Sequence, residues 1–225
     1  MKPLLGLSGF KGSGKDSVAD FLVEEHGWLK MSFAEPLKDM VAEAFDLPRH
    51  LLEGDTEESR EWRENHIDDV TGKTPRVLLQ EVGVAMRNVH ADFWVNQVKA
   101  MILRVQSTSY AGIVVPDMRF ANEFDMINEL EGINVRVKRK SANPAWYDNS
   151  WSHITWDFRE MSHEWLEFAD PSQRVHVSEW LMALPTAQAQ MNDNLENDGT
   201  IRELETETEK MVNNLFDLHY VSRSE

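Results

Sequence analysis

The stretch Gly9-Phe10-Lys11-Gly12-Ser13-Gly14-Lys15-Asp16-Ser17 decides the reading of this chain. Glycine, four residues, then Gly-Lys is the spacing of a phosphate-binding loop. Glycines carry no Cβ, so the backbone wraps closely and successive N–H groups point inward at oxygens. Such a loop delivers its anion to the positive end of a helix. Lys15 adds a mobile point charge for the β- and γ-phosphates. The flanks agree. Leu4, Leu5 and Leu7 lie in a short apolar run that predicts a buried strand over residues 3–8. Val18, Phe21, Leu22 and Glu25 keep helical spacing over 14–26, and Gly27 is placed to end that helix. The spacing alone arises by chance in roughly one chain in twenty of this length, taking Gly at about 7%. A strand before it and a helix after it make it specific. After Lys15 comes Asp16, where the general loop has Ser or Thr to hold Mg²⁺, and Ser17 is one position late. Either can serve the metal; sequence does not choose between them.

The chain has 225 residues, enough for one α/β domain with a core and a lobe beside it. No apolar run approaches the ~20 residues of a membrane helix, and no signal peptide is evident at the N-terminus. There is no cysteine, which excludes disulfides and thiolate metal sites. A cytoplasmic protein without a membrane partner is expected. The formal charge is −16, from 39 acidic and 23 basic residues. That disfavours nucleic acid as a partner, since duplex binding wants a basic face. A nucleotide pocket needs only local cations and backbone N–H groups.

Trp28 to Phe33 reads as a second strand. Glu35-Pro36 then opens a helix buried along Leu37, Met40, Val41, Ala44 and Phe45 and stopped by Pro48. Lys38 sits in its first turn, against the helix dipole, which an anion nearby would explain. Residues 49–73 are mostly acidic and read as a solvated face or a helical insertion. Thr74-Pro75 caps and starts another helix, on which Arg76 and Gln80 share a face. Asp92 opens the next helix, and Trp94 is core or pocket wall. Ile113-Val114-Val115-Pro116 reads as a parallel strand buried on both faces. It ends in Asp117-Met118-Arg119, placed where open α/β sheets bind ligands. A helix over Asn122 to Leu130, closed by Gly132, leads to a strand with Ile133, Val135 and Val137 alternating, then Lys138-Arg139-Lys140. Residues 141–185 hold Trp146, Trp151, Trp156, Trp165 and Trp180, with His153, His163 and His176. Their histidine spacing fits no trusted ligand template, so a lid or satellite lobe is expected. Residues 186–192 read as a weak last strand. Ile201 to Phe216 is a long amphipathic helix. Strand alternating with helix predicts a parallel sheet with helices on both faces.

With these residues located, the chain resembles the deoxynucleoside monophosphate kinases of tailed phages, a branch of the P-loop nucleoside monophosphate kinases. The resemblance spans nearly the whole chain apart from residues 49–73 and about 141–172. It rests on Ser8-Gly9 through Phe21, where the family too has Asp after the lysine. It rests also on Phe33-Ala34-Glu35-Pro36-Leu37-Lys38-Asp39, and on Pro75 to Gly83 followed by Phe93-Trp94-Val95. The fourth stretch is Val115 to Glu123, and weaker matches are His176-Val177-Ser178-Glu179 and Asn197-Asp198-Gly199.

The resemblance implies an α/β three-layer P-loop kinase sandwich: a five-stranded parallel sheet, with a monophosphate-binding region at 34–110 and a lid at 139–185 inside one domain. It implies transfer of the ATP γ-phosphoryl to a deoxynucleoside 5′-monophosphate, supplying DNA precursors in an infected cell's cytoplasm, with broad base acceptance and a homodimer. In that scheme Lys11, Gly12, Ser13, Gly14, Lys15, Asp16 and Ser17 cradle ATP, and Asp16 or Ser17 holds Mg²⁺ with Asp117 in its outer shell. Lys38, Arg76 and Arg119 grip the acceptor phosphate. Gln80 and Glu123 contact its base or sugar, and Trp94 walls it. Arg139, or Arg159 or Arg174 in the lid, completes the charge clamp. The rival readings are another small-molecule P-loop kinase, such as one acting on dephospho-coenzyme A, or a nucleotide-binding ATPase without an acceptor.

Overall fold

The computed structural model describes residues 1–143 and 185–217. In chain order the elements are β1 (Leu4–Ser8), α1 (Lys15–His26), β2 (Leu29–Lys30), α2 (Ala34–Phe45), a 3-10 turn (Arg49–Leu52), α3 (Glu57–Asn65), α4 (Pro75–Val89) and α5 (Phe93–Val105). They continue with β3 (Ile113–Val115), α6 (Ala121–Glu129), β4 (Ile133–Lys138), a second 3-10 turn (Lys140–Ala142), α7 (Pro185–Gln188), β5 (Asp193–Glu196) and α8 (Ile201–Phe216). Two compact units result, one of Met1–Met31 with the described residues from Gln106 onward, the other of Ser32–Val105.

The first unit is built on a five-stranded parallel sheet in the order β2-β3-β1-β4-β5. The strand that feeds the glycine loop is therefore central and buried along its length. Leu5, Leu7, Val114, Val135 and Val137 face Val18 and Leu22 of α1 and Leu204, Met211 and Val212 of α8. On the opposite face lies α6. Asn134 Nδ2 donates to the Phe124 carbonyl at 3.2 Å, and a Cβ at Gly132 would meet Ile127 and Leu4. Helices thus cover both faces of a parallel sheet, as expected.

Helix α1 closes as its sequence predicts. Gly27, at φ 68°, donates its N–H to Val23, and Trp28 donates to Leu22. The strand expected over Trp28 to Phe33 shrinks to Leu29–Lys30, because it is an edge strand bonded to β3 alone. The last strand is displaced from 186–192 to Asp193–Glu196, while Pro185–Gln188 is helical. Pairing with β4 defines β5, from Val135 opposite Asp193 to Lys138 opposite Glu196, and Leu195 is its one core residue. In β4 the alternation of valines marks no solvent face, since Asn134 and Arg136 between them are also buried. Helix α6 is followed by Glu131 in the left-handed region (φ 56°), one residue before the Gly132 expected to close it.

The second unit packs α2, α3 and α4 around Val41, Leu47, Leu52 and Leu78, with Leu37, Phe45 and Trp62 against them. Thr74 Oγ1 accepts from Val77 N–H and Pro75 takes the first position of α4, as the dipeptide predicts. Helix α2 ends at Asp46 (φ 50°), two residues before Pro48. Residues 49–73 are more ordered than a solvated face. Thr56 and Ser59 cap α3 reciprocally, and Asp68 accepts from both Thr71 N–H and Oγ1. The glutamates Glu57, Glu58, Glu61 and Glu64 do face solvent, while Trp62 turns to the core. Of the lid read over 139–185, the stretch 144–184, with Arg159, Arg174, His153, His163, His176 and the Trp run, lies outside the described residues.

Candidate active site

The glycine loop forms a tight turn between β1 and α1. Ser13 N–H donates to the Phe10 carbonyl at 3.1 Å, and Val18 N–H to Gly14 at 3.0 Å starts the helix. Gly12 (φ 81°) and Gly14 (φ 103°) occupy a region that L side chains rarely adopt. The Lys15 ammonium turns back over the loop, 2.7 Å from the Gly9 carbonyl and 2.9 Å from that of Phe10. Ser13 Oγ is buried with no hydrogen-bond partner among the described residues. Beside the loop lies a cavity of about 350 Å³, lined by Gly12 and Gly14 to Ser17 of the loop together with Arg139 and Asn197 among others. Glycine amides, a helix N-terminus and two cations around one cavity fit a polyphosphate. Lys11 is exposed at the turn.

Asp16 and Ser17 both line the cavity. Asp16 is exposed, and its carboxylate lies 3.3 Å from the Lys30 ammonium, which also bonds Asp20 at 2.9 Å. Burial pushes the Lys30 ammonium down, but its hydrogen bond to Asp20 and the charge of Asp16 outweigh burial and raise it. Asp16 therefore already has a cation. Among the described residues no group of three or more His, Asp or Glu could hold a metal. The chain fits Mg²⁺ only as a partial ligand set, Asp16 and Ser17, with the phosphates left to supply the rest.

Pro116 to Arg119 lies at the C-terminal end of the sheet, where Met118 N–H donates to Leu7 of β1 at 3.3 Å. Asp117 and Arg119 are half-buried there, one strand away from the loop. Glu123 is 3% exposed, and its Oε2 accepts from the N–H of Arg119 at 2.6 Å and of Phe120 at 3.0 Å. A carboxylate oxygen held by the orphan donors at the start of α6 caps that helix, a use the sequence reading did not give it.

In the second unit, Arg76 and Gln80 are exposed one turn apart on α4, and Arg76 pairs with Glu64. For Trp94, read as core or pocket wall, the structure bears out the first. The residue is 2% exposed, and its Nε1 donates to the Gly83 carbonyl at 3.1 Å, so it is core. Lys38 has its anions within the protein, Glu53 at 2.5 Å and Glu35 at 2.9 Å. Arg49, which the sequence reading passed over, bonds Glu35, Asp39 and Glu53. Burial pushes the Glu53 carboxyl up, but hydrogen bonds from Lys38 and Arg49 outweigh it and hold it below the usual value. This cluster fastens the 3-10 turn onto α2 and accounts for a cation in the first turn.

Two further residues escaped the sequence reading. The Arg136 guanidinium lies 5.5 Å from the centre of the Phe10 ring, beneath the loop. Asn197, quoted above only within the weak match Asn197-Asp198-Gly199 and given no role there, donates Nδ2 to the Ser13 carbonyl at 2.8 Å. Next to it, Asp198 accepts from the Lys140 backbone and side chain, which hold its carboxyl below the usual range.

No protein-family model matches the chain. It is 33% identical over 146 residues to a protein of Acanthamoeba polyphaga mimivirus named "Putative deoxynucleotide monophosphate kinase", covering 60% of this chain and 74% of that one. Among solved structures it is similar to dephospho-CoA kinase from Campylobacter jejuni (TM-score 0.49, 13% identity, 96% of this chain and 98% of that one). It is similar also to shikimate kinase from Bacteroides thetaiotaomicron (TM-score 0.45, 14% identity, 97% of this chain and 100% of that one). With a phosphate loop on the central strand of a parallel sheet, and nearly three quarters of the viral protein matched at that identity, the chain belongs to the deoxynucleotide monophosphate kinase family.

Proposed function

We propose that this chain transfers the γ-phosphoryl of ATP to a deoxynucleoside 5′-monophosphate, giving the diphosphate and ADP. The observation that supports it most is the loop: a Lys15 ammonium poised over backbone carbonyls at a helix N-terminus, facing a cavity of nucleotide scale.

Phosphoryl transfer needs positioning and charge neutralisation rather than a strong base, because the acceptor phosphate is already a nucleophile. In this reading the amides of residues 11–17 hold the β- and γ-phosphates. Lys15 exchanges the carbonyls of Gly9 and Phe10 for phosphate oxygens. Arg139, which lines the same cavity, neutralises charge on the transferring group. Arg119 and Arg76 grip the acceptor phosphate, Gln80 contacts the base or sugar, and Asp117 would stand in the outer shell of a bound Mg²⁺. Asp16 and Ser17 would hold Mg²⁺, which when bound neutralises the β- and γ-oxygens. We assign the protein to DNA precursor supply in the cytoplasm of a phage-infected cell, as a homodimer. The region 34–110 serves the monophosphate and 139–185 the lid.

The test is a coupled assay of ADP production with each deoxynucleoside monophosphate and its ribose counterpart. Turnover with deoxynucleotides above a no-acceptor background is expected. Equal phosphate release without any acceptor would replace this reading with an ATPase.

A further inference from the structure

We propose that Asn197 is a positioning residue for the phosphate loop, setting the direction of the amide at Gly14. This rests on reading the loop as the cradle for ATP. Asn197 follows β5, 184 positions from its partner, and its side chain is buried at 6% exposure. Its place is fixed by the sheet, since its own N–H donates to the Lys138 carbonyl at 2.7 Å. From there Nδ2 donates to Ser13 at 2.8 Å. A trans peptide sets its C=O and N–H in opposite directions. Anchoring the Ser13 carbonyl therefore fixes the plane of the Ser13–Gly14 peptide and the direction of the Gly14 N–H. The fit is close, because a Cβ at Gly14 would lie 2.3 Å from Nδ2. Asn197 also lines the same cavity as Lys15. It acts through the Ser13 carbonyl, tying the end of β5 to the loop.

Asn197→Leu keeps the branched shape and removes the donor, leaving a buried carbonyl unmatched. Its ATP dissociation constant, by titration calorimetry, is expected to rise about tenfold. The acceptor KM should stay within about twofold of the native value, where a general loss of structure would move both. Asn197→Asp supplies a second readout, because an ionised carboxylate accepts and cannot donate to Ser13. Its ATP affinity at neutral pH should fall at least as far as that of Asn197→Leu, with the acceptor KM again little changed. Native-like ATP affinity in folded Asn197→Leu or folded Asn197→Asp would overturn the role. If the native chain bound no ATP, the functional reading itself would fall, and this inference with it.

Discussion

The ammonium of Lys15 is bonded to the carbonyl of Gly9, six residues earlier, at 2.7 Å, and to that of Phe10 at 2.9 Å. These are contacts a lysine gives up readily for phosphate oxygens, since they are uncharged and reached by a flexible stem. Lys15→Met keeps the stem and loses the charge. We expect kcat/KM in the coupled assay to fall by at least about 10²–10³, in line with removing one preorganised donor. Circular dichroism should be unchanged, because Lys15 is not part of the core. Native turnover in this variant would remove the mechanism.

The Glu53 cluster predicts a pH dependence of stability. Glu53 binds its proton more weakly in the folded chain than in the unfolded one. Its contribution is therefore complete above the ordinary value of 4.5 and is lost as pH falls through the lower folded value. Melting temperatures of the native chain and Glu53→Gln should differ most near neutral pH and converge in acid. Lys38→Met should likewise lower the melting temperature, since it leaves Glu53 and Glu35 short of a partner. A Lys38→Met variant with native stability and a raised acceptor KM would restore the phosphate-gripping role.

What sequence made legible and what it hid follow one rule. Features that a residue type dictates locally were readable: the glycine loop, Gly27 closing α1, Thr74-Pro75 opening α4. Features fixed by distant chain were not. Strand β5 has one core residue, Leu195, and exists because β4 offers it an edge. Trp94, Glu123 and Lys38 are residue types that serve a core, a cap or a site equally well. Only their partners Gly83, Arg119 N–H and Glu53 separate these uses. Asn197 and Ser13 are 184 positions apart, beyond any local pattern.

Arg139 and Lys140 are adjacent in sequence and differ in what they face. Arg139 lines the cavity. Lys140 is 86% exposed and bonded to Asp198 at 2.7 Å, a pair that solvent screens. Arg139→Ala should cut kcat by on the order of 10-fold or more, with Lys140→Ala near native under the same conditions. Equal losses would mean that the basic run acts by bulk charge, and raising salt would then abolish both effects.

Trp28 makes the stability of the first unit testable apart from the site. Its ring is 1% exposed, edge-on to Phe216 at 5.9 Å, and fills the space a Cβ at Gly112 would take at 2.7 Å. Trp28→Ala should cost about 3–5 kcal/mol in urea unfolding. ATP affinity of the folded fraction should be unaffected, because the residue lies at the far end of α1 from the loop.

Gly12 and Gly14 share a left-handed backbone but not a neighbourhood, and that difference separates their alanine variants. At Gly12 a Cβ would meet only Ala142, at 4.0 Å. Gly12→Ala should therefore cost the roughly 1–2 kcal/mol of backbone strain and no more in the nucleotide-free protein. At Gly14 the Cβ would strike Asn197 Nδ2 at 2.3 Å, so strain and clash combine and the loss should be larger. Both variants should weaken ATP binding, since each places a methyl in the cradle. The clash is removable: adding Asn197→Ala to Gly14→Ala should restore part of the lost stability. Simple addition of the two single losses in urea unfolding would show that the contact is not the cause.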